Sequence, residues 1–456
     1  MLRHGAILGP FLLAAALLGS AARADDAGTV ALTHVRLIDG TGGDPIDDAT
    51  IVVAGGRITA AGPADTAIPP GATVRDLRGK TVTPGLISDH SHVGQVRGAT
   101  NGAPNYTRET IEAELRQYRD YGVTTIMALG NNGPLFGTLR EEAHAGALGG
   151  ADLFGVDRGV GVPDGGPPQA MTKLGADQLF RPRTVAEAVA AVDAMADRKT
   201  DLVKLWLDDF GGSAAKMTPD VYTAVIERAH ARGVRVAAHI HDLADARAIV
   251  AAGADILAHG VRDRPVDSDL IDALKSRGVW YVATLALDDA SFAWADQAAW
   301  TRSPFVRAAL SPELARQIDD PKWRAGILAG PGLAGSRSSL VMNQRNLKTL
   351  FDAGIKIGFG TDSGATPLRV AGVAEHRELA LMVEAGLTPL QALTIATSRA
   401  AGALNLDDRG RIAPGLRADF LVFDADPSQD VASTRMIRET WIQGRCHPRV
   451  EPTATP

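Results

Sequence analysis

The sequence predicts an α/β fold, a (β/α)8 TIM-like barrel with a small β-sandwich domain built from both ends of the chain. Eight short apolar runs alternate with amphipathic helical stretches over about 320 residues, which is typical of a barrel with insertions. Several of these runs end in histidine, lysine or aspartate. Short β-branched segments at both chain ends predict the smaller domain. A doubly wound open sheet is the alternative for the central part.

The first 24 residues have the composition of a secretory signal peptide. A short basic start precedes an apolar stretch, and Ala22-Arg23-Ala24 forms a small-x-small cleavage site. The apolar stretch contains a proline and is shorter than the roughly 20 residues of a membrane span, so an uncleaved anchor is the weaker alternative. We therefore predict a secreted, periplasmic protein with no stable membrane association after cleavage.

The overall composition limits the classes of partner and of metal site. A hydrophobic content of 45% and a charged content of 22% are ordinary for a globular protein. Removal of Arg3 and Arg23 with the signal takes the formal charge from −6 to −8, and no basic run suggests a nucleic-acid partner. Cys446 is the only cysteine, which excludes an internal disulfide and a thiolate metal site. Any metal must be held by nitrogen and oxygen ligands.

Three segments make up the predicted mature chain. Residues 25–83 and 407–450 are predicted to pair into one small β-sandwich, and residues 84–406 form the barrel, with an insertion around 286–340. The insertion carries Phe292, Trp294, Trp300, Phe305 and Trp323. Two interpretations stay open, a lid that covers an apolar or aromatic substrate group, or a helical excursion that packs its own aromatics on the barrel exterior.

The predicted helices carry boundary signals. Thr184 and Glu187 form a capping-box pattern, Thr218-Pro219 begins the next helix, and Asp242 precedes another. Glycines occupy the C-terminal capping position after four helices, at Gly233, Gly253, Gly278 and Gly354.

Polar side chains lie at or near the ends of five predicted strands. His90 and His92 are alternate residues, so an extended segment would point both imidazoles toward one metal ion. Each such residue has a structural alternative, for example a turn-forming aspartate or a lysine that snorkels to the strand edge. Because the carboxyl ends of barrel strands meet at one pocket, we expect six residues to converge, namely His90, His92, Lys204, His239, His259 and Asp362.

Several motifs together resemble one family. The segments "PGLISDHSHVG", "DLVKLW", "RVAAHIHD", "DILAHG" and "GFGTDSG" are similar to those of the amidohydrolase superfamily, in particular its imidazolonepropionase-like and Xaa-Pro dipeptidase-like branch. The stretch "GRIAPGLRADFLVFDADP" resembles the small β domain of that family. The resemblance covers essentially the whole predicted mature chain.

The resemblance implies a binuclear metal centre, usually zinc, bridged by a carboxylated lysine and by a hydroxide. By position, the first metal ion would be held by His90, His92 and Asp362, the second by His239 and His259, with Lys204 as N6-carboxylysine between them. Desolvation lowers the pKa of a buried lysine, and the neutral amine can add CO2. The implied reaction is attack of the bridging hydroxide on a polarised carbonyl, with Asp362 as general base and then general acid.

Three more residues are candidates for substrate contact. Arg97 follows the His-x-His pair and Arg158 ends the third strand, so each could pair with a substrate carboxylate, with a structural ion pair as the alternative. His241 begins a helix beside His239, so we predict a contact to substrate or to a metal ligand rather than to the metal.

The sequence departs from the family pattern at two places. Pro167 stands where relatives carry a substrate-binding histidine, and Asp208 and Asp209 follow Lys204 where relatives are rich in Gly or Ser. These departures leave the six predicted metal-site residues intact and leave the substrate open.

The sequence therefore predicts an exported binuclear metal-dependent hydrolase that cleaves an amide or peptide bond in a small molecule. An N-acyl amino acid or an Xaa-Pro-like dipeptide is the first candidate substrate. An ester, lactone or carbamate is the alternative, because the same hydroxide attacks those carbonyls. A non-catalytic barrel-fold binding protein is the alternative outside enzymes, and the presence of all six residues argues against it. The oligomeric state stays open, with a homo-oligomer as one option.

Overall fold

The computed structural model describes residues 28–449. The signal peptide predicted for residues 1–24 lies outside the described residues. Within 28–449, no helix combines the length and the apolar character that a membrane crossing requires.

The described part of the chain alternates strands and helices throughout its centre. The strands are β1 (Val30–Leu37), β2 (Ile46–Ala54), β3 (Arg57–Pro63), β4 (Thr73–Asp76), β5 (Thr81–Pro84), β6 (Leu86–Ser91), β7 (Val96–Arg97), β8 (Thr100–Asn101), β9 (Val123–Ala128), β10 (Asp152–Gly155), β11 (Val203–Trp206), β12 (Val236–His239), β13 (Ile256–Ala258), β14 (Trp280–Val282), β15 (Lys356–Gly358), β16 (Phe420–Phe423), β17 (Ile437–Ile442) and β18 (Arg445–Pro448).

The α-helices lie mainly between the central strands. They are α1 (Arg108–Asp120), α2 (Phe136–His144), α3 (Gln169–Thr172), α4 (Val185–Asp197), α5 (Pro219–Ala231), α6 (Leu243–Ala252), α7 (Ser268–Arg277), α8 (Leu285–Asp289), α9 (Pro304–Arg307), α10 (Pro312–Asp319), α11 (Pro321–Leu328), α12 (Leu333–Asp352), α13 (Val373–Glu384), α14 (Pro389–Thr394) and α15 (Ala400–Ala403).

The central strands form two parallel sheets, and the fold is α/β as the sequence predicts. One sheet has the order β10-β9-β6 and the other the order β11-β12-β13-β14-β15, with every pairing parallel. Isolated parallel bridges pair Val160, five residues after β10, with Leu205 in β11, and Ser363, five residues after β15, with Ser91 in β6. They link the two sheets at both edges. These eight strands fall in the eight apolar runs of the sequence. β6, β9 and β11 are buried along their whole length, which explains why their runs are apolar without alternation.

The two ends of the chain share one eight-stranded sheet. Its order is β18-β17-β16-β5-β1-β2-β3, with β4 paired to β1, so the expected pairing of early and late strands is present. This sheet has its own apolar cluster, in which Phe420 stacks on Trp441 with ring centroids 5.0 Å apart. Whether these strands make a two-layer sandwich stays a prediction.

The helix boundary signals of the sequence are confirmed. The Thr184 hydroxyl accepts a hydrogen bond from the Glu187 amide at 3.2 Å at the start of α4. α5 begins at Pro219 and α6 follows Asp242. The four glycines after helices have φ angles of 71°, 108°, 67° and 78° in chain order, a left-handed region that penalises other residues.

The apolar pattern of residues 279–287, the seventh of the eight runs, predicts one continuous strand, and this prediction is wrong. β14 ends at Val282, Thr284 has a φ of 51°, and α8 begins at Leu285. The turn is fixed by buried polar partners that the apolar pattern does not reveal. The Glu378 carboxylate accepts hydrogen bonds from the amides of Leu285 at 3.0 Å and Ala286 at 2.7 Å, where the free N–H groups of a helix start need acceptors.

Candidate metal centre

The parallel sheets bring the six predicted residues to one end of the strands. His90 is in β6 and His92 lies one residue past its end, while Lys204 is in β11. His239 is the last residue of β12, and His259 directly follows β13. Asp362 lies four residues beyond β15. Residues from five strands thus meet in one buried place.

Asp362 lies between the two histidines of the His-x-His pair. Its Oδ1 atom is 2.9 Å from Nε2 of His92 and 3.3 Å from Nε2 of His90. Ligand atoms of these three residues all lie within 4.8 Å of one another. Burial alone would raise the pKa of Asp362, but the Arg369 guanidinium and both histidines hold it well below its usual range. The residue is therefore a carboxylate, the form that binds a cation.

The other two histidines complete a cluster of imidazoles. The ring of His259 lies 4.5 Å from that of His90 and 4.4 Å from that of His239, centroid to centroid. Burial lowers the pKa of His90 to about 3 and that of His239 to about 4. Neutral imidazoles can donate a lone pair to a metal ion, whereas protonated ones cannot.

Hydrogen bonds fix the orientation of three of the rings. His92 Nδ1 lies 3.2 Å from the Gly130 carbonyl oxygen, and His259 Nδ1 lies 2.7 Å from the Thr284 hydroxyl. His239 Nε2 lies 3.0 Å from Asp208 Oδ2. Each ring thereby keeps its second nitrogen for the cluster, which is the arrangement that metal-binding histidines commonly have.

Two buried nitrogen atoms of the cluster lack a partner among the described residues. They are Nζ of Lys204 and Nδ1 of His90. Lys204 is 1% exposed, and burial lowers its pKa to about 7. An unpaired buried polar group costs free energy, so the unpaired amine of Lys204 indicates that the site is built for a group that is bound there.

The backbone is strained at two of the six positions. His259 has a φ of 94° and Asp362 a φ of 59°, angles that non-glycine residues rarely adopt. Glu375 stabilises the turn that carries Asp362. Its Oε1 atom accepts hydrogen bonds from the hydroxyls of Thr361 and Ser363, each at 2.7 Å. Such strain persists where the surroundings impose it and is common at functional sites.

A cavity of about 430 Å³ opens onto the cluster. One part of its wall is apolar and is formed by Pro167, Met171, Trp206, Phe210 and Leu287. The remaining wall is polar and includes Asn131, Asp208, His241, Arg262 and Arg369. A small molecule with an apolar group and a polar group fits such a lining.

The structure places the three predicted substrate contacts differently from one another. His241 lines the cavity, with Nδ1 2.7 Å from Asp242 Oδ1. Arg97 is exposed and lines a neighbouring cavity, and Arg158 lies against the Phe180 ring, 4.9 Å from its centroid. Neither arginine is among the residues that line the metal cavity.

The aromatic residues of the insertion do not line this cavity either. Phe292 and Trp294 are buried, and Trp300, Phe305 and Trp323 are partly buried against neighbouring apolar residues such as Val306 and Leu314. This packing favours the helical excursion over the lid. The aromatic side chains that line the metal cavity are instead Trp206 and Phe210.

Sequence reasoning missed two residues of the site. Arg369 pairs with Asp362, and Thr284 binds His259. Both lie in turns between elements, where no periodic pattern singles them out. In the sequence, Asp208 is only a departure from the family pattern. In the structure it contacts His239, which gives that departure a structural role.

Comparisons with known proteins show similarity over most of the chain. Residues 81–446 match the model of the amidohydrolase family. Imidazolonepropionase of Deinococcus radiodurans is 27% identical over 420 residues, which cover 88% of this chain and 92% of the relative. Ochratoxinase of Aspergillus niger is 24% identical, over 92% of this chain and 87% of the relative.

A solved structure shows the same fold over nearly the whole chain. The crystal structure of a Xaa-Pro dipeptidase with bound methionine in the active site superposes with a TM-score of 0.73. The superposition covers 92% of this chain and 100% of the dipeptidase, at 21% identity. At that identity the likeness establishes the fold alone.

Proposed function

The chain belongs to the amidohydrolase family, and from that premise we propose that it is a binuclear metal-dependent hydrolase that cleaves an amide or peptide bond in a small molecule. The observation that carries the proposal is the convergence of His90, His92, His239, His259 and Asp362 on one cavity. Lys204 is buried close enough to His90 and His239 to lower the pKa of both. The relative named imidazolonepropionase supports hydrolysis of a carbon–nitrogen bond.

The residues present fit two divalent metal ions, with zinc as the first candidate. His90, His92 and Asp362 would hold one ion, and His239 and His259 the other, with Lys204 as N6-carboxylysine between them. The unpartnered Nζ of Lys204 supports this assignment, as does the nitrogen and oxygen donor set. When bound, the two ions supply Lewis acidity toward the substrate carbonyl and lower the pKa of a shared water.

Lys204 is suited to carbamate formation by its surroundings. Its amine is buried, no described residue forms a hydrogen bond with Nζ, and its neighbour is the Trp206 ring, 5.5 Å away at the centroid. In the neutral amine the nitrogen lone pair can attack CO2, which forms an N–C bond and releases a proton. The product is a carboxylate that can contact both metal positions, whereas an ammonium group could contact neither.

Asp362 is the group that would move the proton during hydrolysis. Its carboxylate lies at the cavity and is kept ionised by Arg369 and the histidines. It would accept a proton from the attacking water and return it to the leaving nitrogen, as general base and then general acid.

The cavity supports a small substrate that has an apolar group. Trp206 and Phe210 form an aromatic wall beside the cluster, and the volume of about 430 Å³ suits a dipeptide-sized molecule. An N-acyl amino acid or a dipeptide is our first substrate class. An ester, lactone or carbamate is the second, because its carbonyl would occupy the same position.

We also propose the finer architecture and the location of the protein. The two parallel sheets would close into a (β/α)8 barrel of residues 84–406, which the bridges between them support. Residues 25–83 and 407–450 would form a separate β-sandwich domain, supported by their shared sheet and apolar cluster. Export to the periplasm would follow from the composition of residues 1–24.

The metal content of the purified chain tests the proposal directly. We expect about two divalent ions per chain after reconstitution with zinc and bicarbonate, and fewer than one in Lys204→Ala. Hydrolysis of a panel of N-acyl amino acids and dipeptides should depend on the metal and be lost in the variant. About one ion, unaffected by Lys204→Ala, would contradict the bridged centre. Two ions without hydrolysis of any amide or ester would favour the binding protein.

A further inference from the structure

We infer that Arg369 binds the carboxylate of the substrate, so that the site selects N-acyl amino acids and dipeptides over amides that carry no negative charge. The inference rests on the proposed function, which it makes more specific. It rests on three observations, namely the free donors of Arg369, its place in the lining of two cavities and the pairing of the other arginine in the metal cavity.

The Arg369 guanidinium has N–H donors that form no hydrogen bond with a described residue. Its Nη1 donates to Oδ2 of Asp362, and no described residue accepts a hydrogen bond from Nε or Nη2. The side chain is 16% exposed, and it lines the metal cavity. A guanidinium presents five N–H donors in a rigid plane, so it can hold Asp362 on one edge and a second carboxylate on another.

Arg369 lines a second cavity as well as the metal cavity. The second cavity has a volume of about 460 Å³ and is lined by Arg97, Gln117 and Ser311, among others. Arg369 lines both cavities, and the segment around it contributes Ala365 and Thr366 to the first and Pro367 to the second. A substrate with its scissile bond at the metal cluster could therefore place its charged end at Arg369.

Arg262, the other arginine that lines the metal cavity, is held in a buried ion pair away from the metal-site residues. Arg262 Nη1 donates to Asp288 Oδ1 at 3.1 Å, and both side chains are 6% exposed. Its Nη2 is directed at the Ile240 carbonyl oxygen, 3.5 Å away. Moving Arg262 to a substrate would leave Asp288 buried without its cation, which is costly. Of the two arginines that line this cavity in the described chain, Arg369 leaves both Nε and Nη2 without an acceptor, whereas Arg262 leaves only its buried Nε.

The test compares two substrates that differ only in the carboxylate. N-acetylphenylalanine and N-acetylphenylalaninol share the scissile amide and the aromatic group, but the alcohol carries no charge. Hydrolysis and equilibrium binding, by calorimetry on the zinc-loaded enzyme, would be measured for both compounds. The proteins are the wild type, Arg369→Gln, Arg369→Lys and Arg345→Gln, a control at an exposed arginine of α12.

We expect the wild type to prefer the acid by about 10- to 100-fold in both kcat/KM and Kd. Arg369→Gln should remove most of that preference, chiefly through KM. Arg369→Lys should keep part of it, because a lysine is charged but cannot form a bidentate pair. The control Arg345→Gln should keep all of it. An equal loss for acid and alcohol would mean that Arg369 only positions Asp362, and would overturn the inference. So would a wild type that binds both compounds equally.

The two readouts separate this inference from the proposed function. Selective binding of the acid that depends on Arg369, without hydrolysis, would support carboxylate recognition while the hydrolase proposal fails. Hydrolysis of both compounds at equal rates, with equal affinities, would support the hydrolase and overturn the inference.

Discussion

Oδ2 of Asp208 lies 3.0 Å from Nε2 of His239, on the side of the ring away from the nitrogen that would face a metal ion. The Asp208 side chain is itself held by the Phe210 amide, which donates to Oδ1 at 2.8 Å. The carboxylate therefore fixes both the tautomer and the angle of the imidazole. A carboxylate behind a metal-binding histidine commonly has this effect.

Asp208→Asn should weaken metal binding without unfolding the protein. An asparagine amide can turn its N–H toward His239 Nε2, and that hydrogen bond would favour the wrong tautomer. We expect the affinity for zinc to fall about 10- to 100-fold, measured by competition with a chromophoric chelator. Asp209→Asn makes the same charge change one residue away, where the carboxylate binds the Gly212 amide and not a histidine. Equal effects of the two variants would contradict the assigned role.

Glu375 should stabilise the turn that carries Asp362. Its Oε1 accepts from the hydroxyls of Thr361 and Ser363, and its Oε2 accepts from the Gly372 amide at 2.8 Å. Glu375→Gln places an NH2 group where one of these acceptors was, so a buried donor loses its partner. We expect a loss of about 1–3 kcal/mol in the free energy of unfolding, together with weaker zinc binding.

Urea unfolding of the metal-free and zinc-loaded protein would measure both effects of Glu375→Gln. Glu384→Gln on the same helix is the control, because that side chain is 51% exposed and pairs at the surface with Arg377. Its effect on stability should stay within about 0–1 kcal/mol. Unchanged zinc affinity in Glu375→Gln would argue against its role in positioning Asp362.

Asp152 should link the stability of the protein to pH. Its carboxylate is 1% exposed and contacts Arg409 at 2.7 Å, Arg417 at 2.8 Å and His144 at 2.6 Å. Burial alone would raise its pKa, but His144 and the two arginines hold the pKa well below the usual value of 3.8. A depressed folded-state pKa contributes stability above the unfolded-state pKa, and this contribution is lost as the pH falls below about 4.

Asp152→Asn should therefore destabilise the protein at neutral pH and flatten its acid response. Two buried guanidinium groups would lose their shared counter-charge, at a cost of about 3–5 kcal/mol at pH 7. Asp408→Asn is the control, because it pairs with the same Arg409 but is 39% exposed. Unfolding free energies between pH 3 and pH 7 would check this, and a parallel pH profile in Asp152→Asn would contradict the prediction.

The strands and the convergence of the polar residues at their ends could be predicted because both follow from simple rules. Strands buried on both faces must be apolar along their whole length, so β6, β9 and β11 stand out in the sequence. Parallel strands also bring their carboxyl ends together, so polar residues at those ends predict a shared site before any distance is known.

The parts that could not be predicted depend on contacts between distant segments. Thr284 ends a strand early because it turns to bind His259, and Glu378 from a later helix caps the turn. Arg369 contacts Asp362 from a loop, and no periodic pattern in the sequence predicts the course of that loop. For Trp294 and its aromatic neighbours in the insertion, the sequence allows either a lid over the cavity or packing on the exterior. Their packing in the structure favours the second role.

Phe210 should determine how well the site accepts an aromatic acyl group. It lines the metal cavity beside Trp206, and its ring lies 5.3 Å from that of His239. Phe210→Ala should lower kcat/KM for an N-benzoyl amino acid about 5- to 30-fold, the equivalent of about 1–2 kcal/mol of lost apolar contact, and change the N-acetyl analogue less. Trp323→Ala in the insertion removes a comparable ring that packs outside the cavity, and should leave the ratio of the two substrates unchanged. Steady-state kinetics on both substrates would decide the matter, because a lid formed by the insertion requires the opposite ranking of the two variants.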